Sequence, residues 1–141
     1  MQRKATAVWQ GDLKSGKGVL SSDSGALSGT PYSFRDRFED GKNTTPEELI
    51  AAAHAGCFAM ALSAQLGEQG LVAQSIEAAS TVTLEKLDTG FTVTSSVLDL
   101  KLKVPGGDRG KMETAANNAK AGCPISKLLN ARITLNASYE S

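Results

Sequence analysis

The spacing of apolar and polar positions changes several times along this chain, and each change marks an element. Residues Ala5 to Trp9 and Gly18 to Ser21 read as short strands, with Gly11, Gly16 and Gly18 punctuating the link, which predicts a hairpin. A polar, glycine-bearing stretch from Ser22 to Thr30 follows, and Pro31 to Phe38 is expected to add a short extended piece. Next, Thr45-Pro46-Glu47-Glu48 places Thr at an N-cap, Pro at the first helical position and Glu at the third, a capping-box pattern. The helix it opens runs through Leu62 and is expected to stop at Gly67 or Gly70. It is apolar on nearly every face, which predicts a buried helix, and its alanines and Gly56 allow another backbone to come close.

From Ile76 the period becomes two: Ile76, Ala78, Ser80, Val82 and Leu84 alternate with polar or small residues. Asp88-Thr89-Gly90 turns the chain, and Phe91 to Val104 returns as the second arm of a long antiparallel hairpin. Pro105-Gly106-Gly107 stops it. Asp108 is a candidate N-cap for a helix to Ala121, Gly122 breaks that helix, and Cys123 to Leu129 reads as a second short one. Ala131 to Tyr139 is a final strand. The order β-β-(β)-α-β-β-α-α-β predicts an α+β fold with antiparallel sheets, in a single domain spanning residues 1–141.

Composition narrows the function classes. The 141 residues carry 15 Lys and Arg against 15 Asp and Glu, scattered rather than clustered, which gives no nucleic-acid footprint. No apolar leader follows Met1-Gln2-Arg3-Lys4, and no apolar run is read as long enough to span a bilayer, so the chain is expected to be cytoplasmic and without a membrane role. In that compartment thiols are kept reduced, and a disulfide tends to be transient and catalytic.

Cys57 and Cys123 are the only cysteines. They can form a structural disulfide, pack as inert core residues, or act as a redox pair. Two Cys and one His with no C-x-x-C offer too few ligands for a zinc site, so no metal is expected. His54 and Cys57 are three apart on one helix, which admits a Cys–His hydrolase. The plainer reading makes His54 a helix residue satisfied by a backbone carbonyl or water, and no G-x-S-x-G sequence is present. Cys123, followed by Pro124, should open a helix, where partial positive charge favours a thiolate. Cys57 lies mid-helix and needs a nearby cation to ionise. Arg37 and Glu47 lie near the start of its helix, but ten helical residues separate Glu47 from Cys57 by about 15 Å. If these residues share a site, Arg37 and Glu47 come from a second copy of the chain.

The run Thr45 to Phe58, the run Lys120 to Ser126, Arg37-Phe38-Glu39 and the hairpin Trp9 to Gly18 together resemble the OsmC/Ohr family, and the last of these its OsmC branch. The resemblance covers essentially the whole chain. It implies an OsmC-like fold, with antiparallel sheets around long buried helices in an intertwined homodimer. It implies a thiol-dependent peroxidase that reduces organic hydroperoxides, and hydrogen peroxide more weakly, in oxidative or osmotic stress defence. By position, Cys57 matches the peroxidatic cysteine and Cys123 the resolving one. Arg37 and Glu47 match the pair that activates Cys57 across the dimer interface, although helix-end reasoning alone nominates Cys123 as the better thiolate. An apolar collar of Phe34, Phe38, Phe58 and Met60 is expected to favour alkyl hydroperoxides. No cofactor is implied, only an external dithiol or lipoyl-type reductant. The rival reading is a non-catalytic small-molecule-binding dimer with structural cysteines.

Overall fold

Strand pairing begins where the glycines of the first hairpin predict it. In the computed structural model, which describes residues 1–141, strand β1 (Ala5–Gln10) pairs antiparallel with β2 (Lys17–Ser22). The connecting turn is held by Asp12, whose carboxylate accepts from the N–H and the hydroxyl of Ser15 at 2.7 and 2.8 Å. A third strand, β3 (Thr30–Tyr32), pairs antiparallel with β2. The register puts Trp9, Gly18 and Tyr32 in one row across the sheet, with the two rings edge to face at 5.6 Å. A Cβ on Gly18 would stand 2.4 Å from the Tyr32 ring and 2.7 Å from that of Trp9, so only glycine lets the rings approach over the strand.

The extended piece expected over Pro31 to Phe38 is corrected. Extended backbone ends at Tyr32, and Phe34–Phe38 forms the short helix α1. The cause is local: the Asp36 carboxylate accepts from the Ser33 hydroxyl at 2.6 Å and the Asn43 N–H at 2.9 Å, which curls the chain. Helix α2 (Pro46–Glu68) then starts as expected, with Thr45 Oγ1 accepting from the Glu48 N–H at 3.1 Å. The second half of the capping box is different. The Glu48 carboxylate accepts from the Thr44 hydroxyl at 2.6 Å. The helix ends in a Schellman motif: Gly70 takes φ +74°, Leu71 N–H donates to Leu66 O, and Gly70 N–H donates to Gly67 O.

The chain divides into two compact units, Met1–Leu49 and Ile50–Ser141. Gly18 is the one buried residue of the first. The second holds a three-stranded sheet in the order β4 (Ser75–Leu87), β5 (Gly90–Lys103), β6 (Arg132–Glu140). Strands β4 and β5 form the long antiparallel hairpin, with a bulge between Thr83 and Leu84. Strand β6 runs parallel to β5, which corrects the expectation of antiparallel pairing throughout. Between them the chain makes α3 (Arg109–Gly122) and α4 (Pro124–Leu128), and a helical crossover of this kind returns a strand in the same direction. Asp108 caps α3 as expected, accepting from the Lys111 N–H at 2.9 Å.

The inward face of the sheet presents Leu98, Leu100 and Leu102, with Val104 just beyond β5. These pack in one core with Phe58, Leu62 and Leu66 of α2 and with Met112, Ala115, Ala116 and Ala119 of α3. The buried positions of α2, His54, Phe58, Leu62 and Leu66, recur every fourth residue and so share one stripe. Burial on all faces is therefore corrected: Ala52, Ala53, Gly56, Met60, Ser63, Ala64 and Gly67 are exposed in the single chain. The expectation that no apolar run could span a bilayer is corrected too. By length and composition α2 is long and apolar enough, a test that the core helix of a soluble protein also passes.

Leu98 is wholly buried at the centre of this core. Leu98→Ala is expected to lower the unfolding free energy by about 3 kcal/mol, read from urea denaturation. A loss well below 1 kcal/mol would show that this sheet face is not the core.

Candidate active site

Cys123 is the joint between two helices. It is the C-cap of α3, with its N–H donating to Ala119 O at 3.0 Å, and the N-cap of α4, with Pro124 at the first helical position. Its sulfur accepts from the Ser126 N–H at 3.3 Å, the role an oxygen usually plays at this position. This is the helix opening that Gly122-Cys123-Pro124 predicts. The side chain is wholly buried, and Cys57 of α2, half-buried, packs against the same core. Both thiols are free. The structure brings them together: Cys123 and the Ile125 backbone both lie near enough to the Cys57 sulfur to act on its ionisation.

Burial pushes the Cys57 thiol above its ordinary pKa. The Ile125 N–H acts in the opposite direction, and the neighbouring Cys123 raises it further. None of these influences is a cation. Left with them, Cys57 is held as the neutral thiol.

His54 lies one turn before Cys57 and is completely enclosed. Its partners are neither a carbonyl nor water, as expected, but two serines. Nδ1 is 2.6 Å from Ser96 Oγ on β5, and Nε2 is 2.8 Å from Ser126 Oγ on α4. The row continues from Ser96 to Ser80 Oγ at 2.9 Å, and from Ser126 to Cys123 Sγ at 3.1 Å. No buried side-chain nitrogen or oxygen lacks a partner. Burial holds the imidazole below its ordinary value of 6.5. Sequence reading missed Ser80, Ser96 and Ser126. For Ser80 and Ser96 the available signal was a serine in the apolar register of an alternating strand, two residues from Val82 and Leu98 respectively; nothing in the sequence singled out Ser126 on α4.

In the first unit, Arg37 on α1 and Glu47 in the first turn of α2 form an ion pair. Arg37 Nε donates to Glu47 Oε1 at 3.0 Å, and Nη2 donates to the same oxygen. Glu47 is 12% exposed and Arg37 38%, so the carboxylate is held while one side of the guanidinium stays open. That guanidinium lies 5.7 Å from the centroid of the Phe38 ring. Beside it is a cavity of about 290 Å³ lined by Trp9, Leu13, Tyr32, Phe34, Phe38 and Pro46. The expected apolar collar is thus corrected in part. Phe34 and Phe38 line the cavity, 4.8 Å apart, whereas Phe58 is core of the second unit and Met60 is 78% exposed on α2. Trp9, Leu13 and Tyr32 take the remaining places. No group of three or more His, Cys, Asp or Glu side chains is placed to hold a metal ion.

Residues 39–138 match the family model described as OsmC-like protein. The chain is 48% identical to peroxiredoxin OsmC of Escherichia coli over 141 residues, covering 100% of this chain and 99% of that one. It is 32% identical over 111 residues to the organic hydroperoxide resistance protein OhrB of Bacillus subtilis, covering 78% of this chain and 79% of OhrB. A crystal structure of B. subtilis OhrB aligns with a TM-score of 0.70 at 27% identity, over 96% of this chain and 98% of that one. An OsmC-like protein of Vibrio cholerae shares the fold at 18% identity, with a TM-score of 0.79 over 98% and 99% of the two chains.

The enclosed imidazole gives stability a pH dependence. The unfolded chain takes up a proton at His54 before the folded chain does. Its contribution is therefore full above pH 6.5 and lost as pH falls below that value. His54→Gln removes this component. Subtracting its unfolding free energies from those of the parent chain, between about pH 7 and pH 5, should reveal a loss toward acid. A flat difference would mean that the imidazole titrates normally in the fold.

Proposed function

The chain belongs to the OsmC-like protein family and is a cysteine-based peroxidase, and we propose that it reduces organic hydroperoxides, and hydrogen peroxide more weakly, through Cys57 and Cys123. The observation that carries this reading is the meeting of two free thiols at the α2–α4 contact, one partly accessible and one buried. The Cys57 thiolate attacks a peroxide oxygen. The S–O bond forms, the O–O bond breaks, and the alcohol leaves with a proton, so Cys57 becomes a sulfenic acid. Cys123 then attacks the Cys57 sulfur, a disulfide forms, and water leaves. An external dithiol, such as a lipoyl-type group, restores both thiols by exchange. No bound cofactor enters these steps. Repeated reduction of the disulfide fits a reducing compartment, the cytoplasm.

A cation is needed because burial holds Cys57 protonated. Arg37, oriented by Glu47, has that charge and an open side. Glu47 and Cys57 are about 15 Å apart along one helix, so the pair comes from a second copy of the chain in a homodimer. Two features support that assembly. The first 49 residues bury almost nothing within the single chain. The exposed stripe of α2 carries Gly56 and Gly67, where an added Cβ would meet nothing within 4 Å, leaving room for another backbone. The apolar cavity beside Arg37 suits the alkyl part of an organic hydroperoxide. The relatives named for peroxiredoxin and organic hydroperoxide resistance point to the same chemistry and to a role in oxidative stress defence.

Cys57→Ser is expected to abolish hydroperoxide reduction in a coupled dithiol assay, and turnover near the parent rate would refute the assignment. Arg37→Ala is expected to lower the rate of Cys57 oxidation by about a hundredfold or more. Donation across the interface has its own test. Refolding equal amounts of the Arg37→Ala and Cys57→Ser chains together should restore about a quarter of the parent activity, because random pairing rebuilds one complete site in each mixed dimer. No restoration, with mixed dimers present, would place Arg37 and Cys57 in the same chain.

A further inference from the structure

The reaction proposed above leaves one buried ionisable side chain unused, and hydrogen counting suggests what it does. The Cys123 thiol has a single proton, which it donates to Ser126 Oγ at 3.1 Å. Ser126 therefore gives its own proton to His54 Nε2 at 2.8 Å, and that nitrogen is the bare one. Nδ1 carries the ring proton and donates to Ser96 Oγ at 2.6 Å, and Ser96 in turn donates to Ser80 at 2.9 Å. Every member of the row is satisfied, and all the bonds point the same way, from the thiol to the imidazole and beyond.

We infer that His54, acting through Ser126, takes up the proton that Cys123 must lose when it closes the disulfide; this rests on the Cys57–Cys123 pair proposed above. As Cys123 Sγ approaches the sulfenic sulfur of Cys57, its proton passes to Ser126 Oγ. The Ser126 proton passes to His54 Nε2 in the same movement, and the direction of both bonds reverses. The S–S bond forms, the S–O bond of Cys57 breaks, and hydroxide departs. Cys123 is oxidised and Cys57 reduced, each to the disulfide level. The hydroxide takes a proton from solvent and the imidazolium returns one to solvent, so a thiol and a sulfenic acid give a disulfide and one water.

The surroundings favour this route. A lone thiolate in the dry core would be costly, whereas a thiolate formed together with an imidazolium leaves the pocket with no net charge. The Ser126 N–H, 3.3 Å from Sγ at the start of α4, stabilises the developing anion. Burial keeps the imidazole neutral and ready to accept. Burial is the sole cause of its shift, and no charged group contributes to it. His54 is thus a positioning and relay residue, and Ser126 is the group that touches the reacting sulfur.

The test follows the reduced protein after one equivalent of cumene hydroperoxide. Dimedone trapping reads the Cys57 sulfenic acid, intact mass reads the disulfide, and thermal melting verifies folding. In Ser126→Ala and His54→Gln the rate of closure relative to Cys57 oxidation is expected to fall about a hundredfold, with sulfenic acid accumulating. Ser126→Thr, which keeps the hydroxyl, is expected to recover most of it. A proton inventory of closure in the parent protein, which needs no variant, should curve, because two protons move together. Folded Ser126→Ala and His54→Gln proteins that close at the parent rate would overturn the relay, as would a closing step with no solvent isotope effect. If the parent protein forms no disulfide, the cysteine pair itself fails and the relay goes with it.

Discussion

One imidazole joins three elements that the chain delivers from far apart. His54 on α2 reaches Ser96, 42 residues later on β5, and Ser126, 72 residues later on α4. Cys57 follows His54 by three residues, and Cys123 precedes Ser126 by three. A single 2.8 Å hydrogen bond between the two helices therefore sets the approach at which the thiols meet. The bond is close to obligatory. Leaving one buried polar group without a partner costs about 1–3 kcal/mol, and the surrounding core of Phe58, Leu98, Met112 and Ala119 offers no substitute.

Around that fixed point the backbone does the rest. Gly122, Cys123 and Pro124 end one helix and begin another within three residues, so the Cys123 sulfur serves as an N-cap as well as the proposed resolving thiol. The parallel return of β6 after this crossover closes the sheet beside β5 and keeps Ser96 on its inward face. The same burial that orders the pair works against ionisation of Cys57. In the proposed reaction, precision and reactivity are supplied by different parts of the sequence: the thiols by residues after Ile50, and the paired guanidinium and its apolar cavity by residues before it. The proposed homodimer unites them, and it also covers the small-residue stripe of α2 that one chain leaves in solvent.

Much of this was legible in the residues. The Thr45 cap, the Asp108 cap, the Gly70 stop and the Cys123-Pro124 helix start are local signals, in which a side chain a few residues away supplies the decisive hydrogen bond. The long hairpin was legible because alternation and its Asp88-Thr89-Gly90 turn agree. What sequence missed depends on distant contacts. The direction of β6 follows from a crossover, and nothing within Arg132–Glu140 encodes it. Helix α1 is the exception, a local miss: Asp36 accepts from Ser33 and Asn43, both within seven residues. Phe58 resembled a cavity residue until the fold placed it in the core, and His54 resembled an ordinary helix residue until the fold set two serines against its nitrogens. The resemblance of the cysteine motifs to the OsmC/Ohr family identified candidates that spacing alone left open.

The central claim is that the two thiols form a reversible redox pair, and intact mass with a free-thiol count tests it most directly. The reduced protein is treated with one equivalent of an organic hydroperoxide in the absence of any reductant. Loss of both thiols with a mass decrease of two hydrogens, reversed by a dithiol, is the expected result. Two titratable thiols and an unchanged mass would contradict it, leaving Cys57 and Cys123 as packing residues.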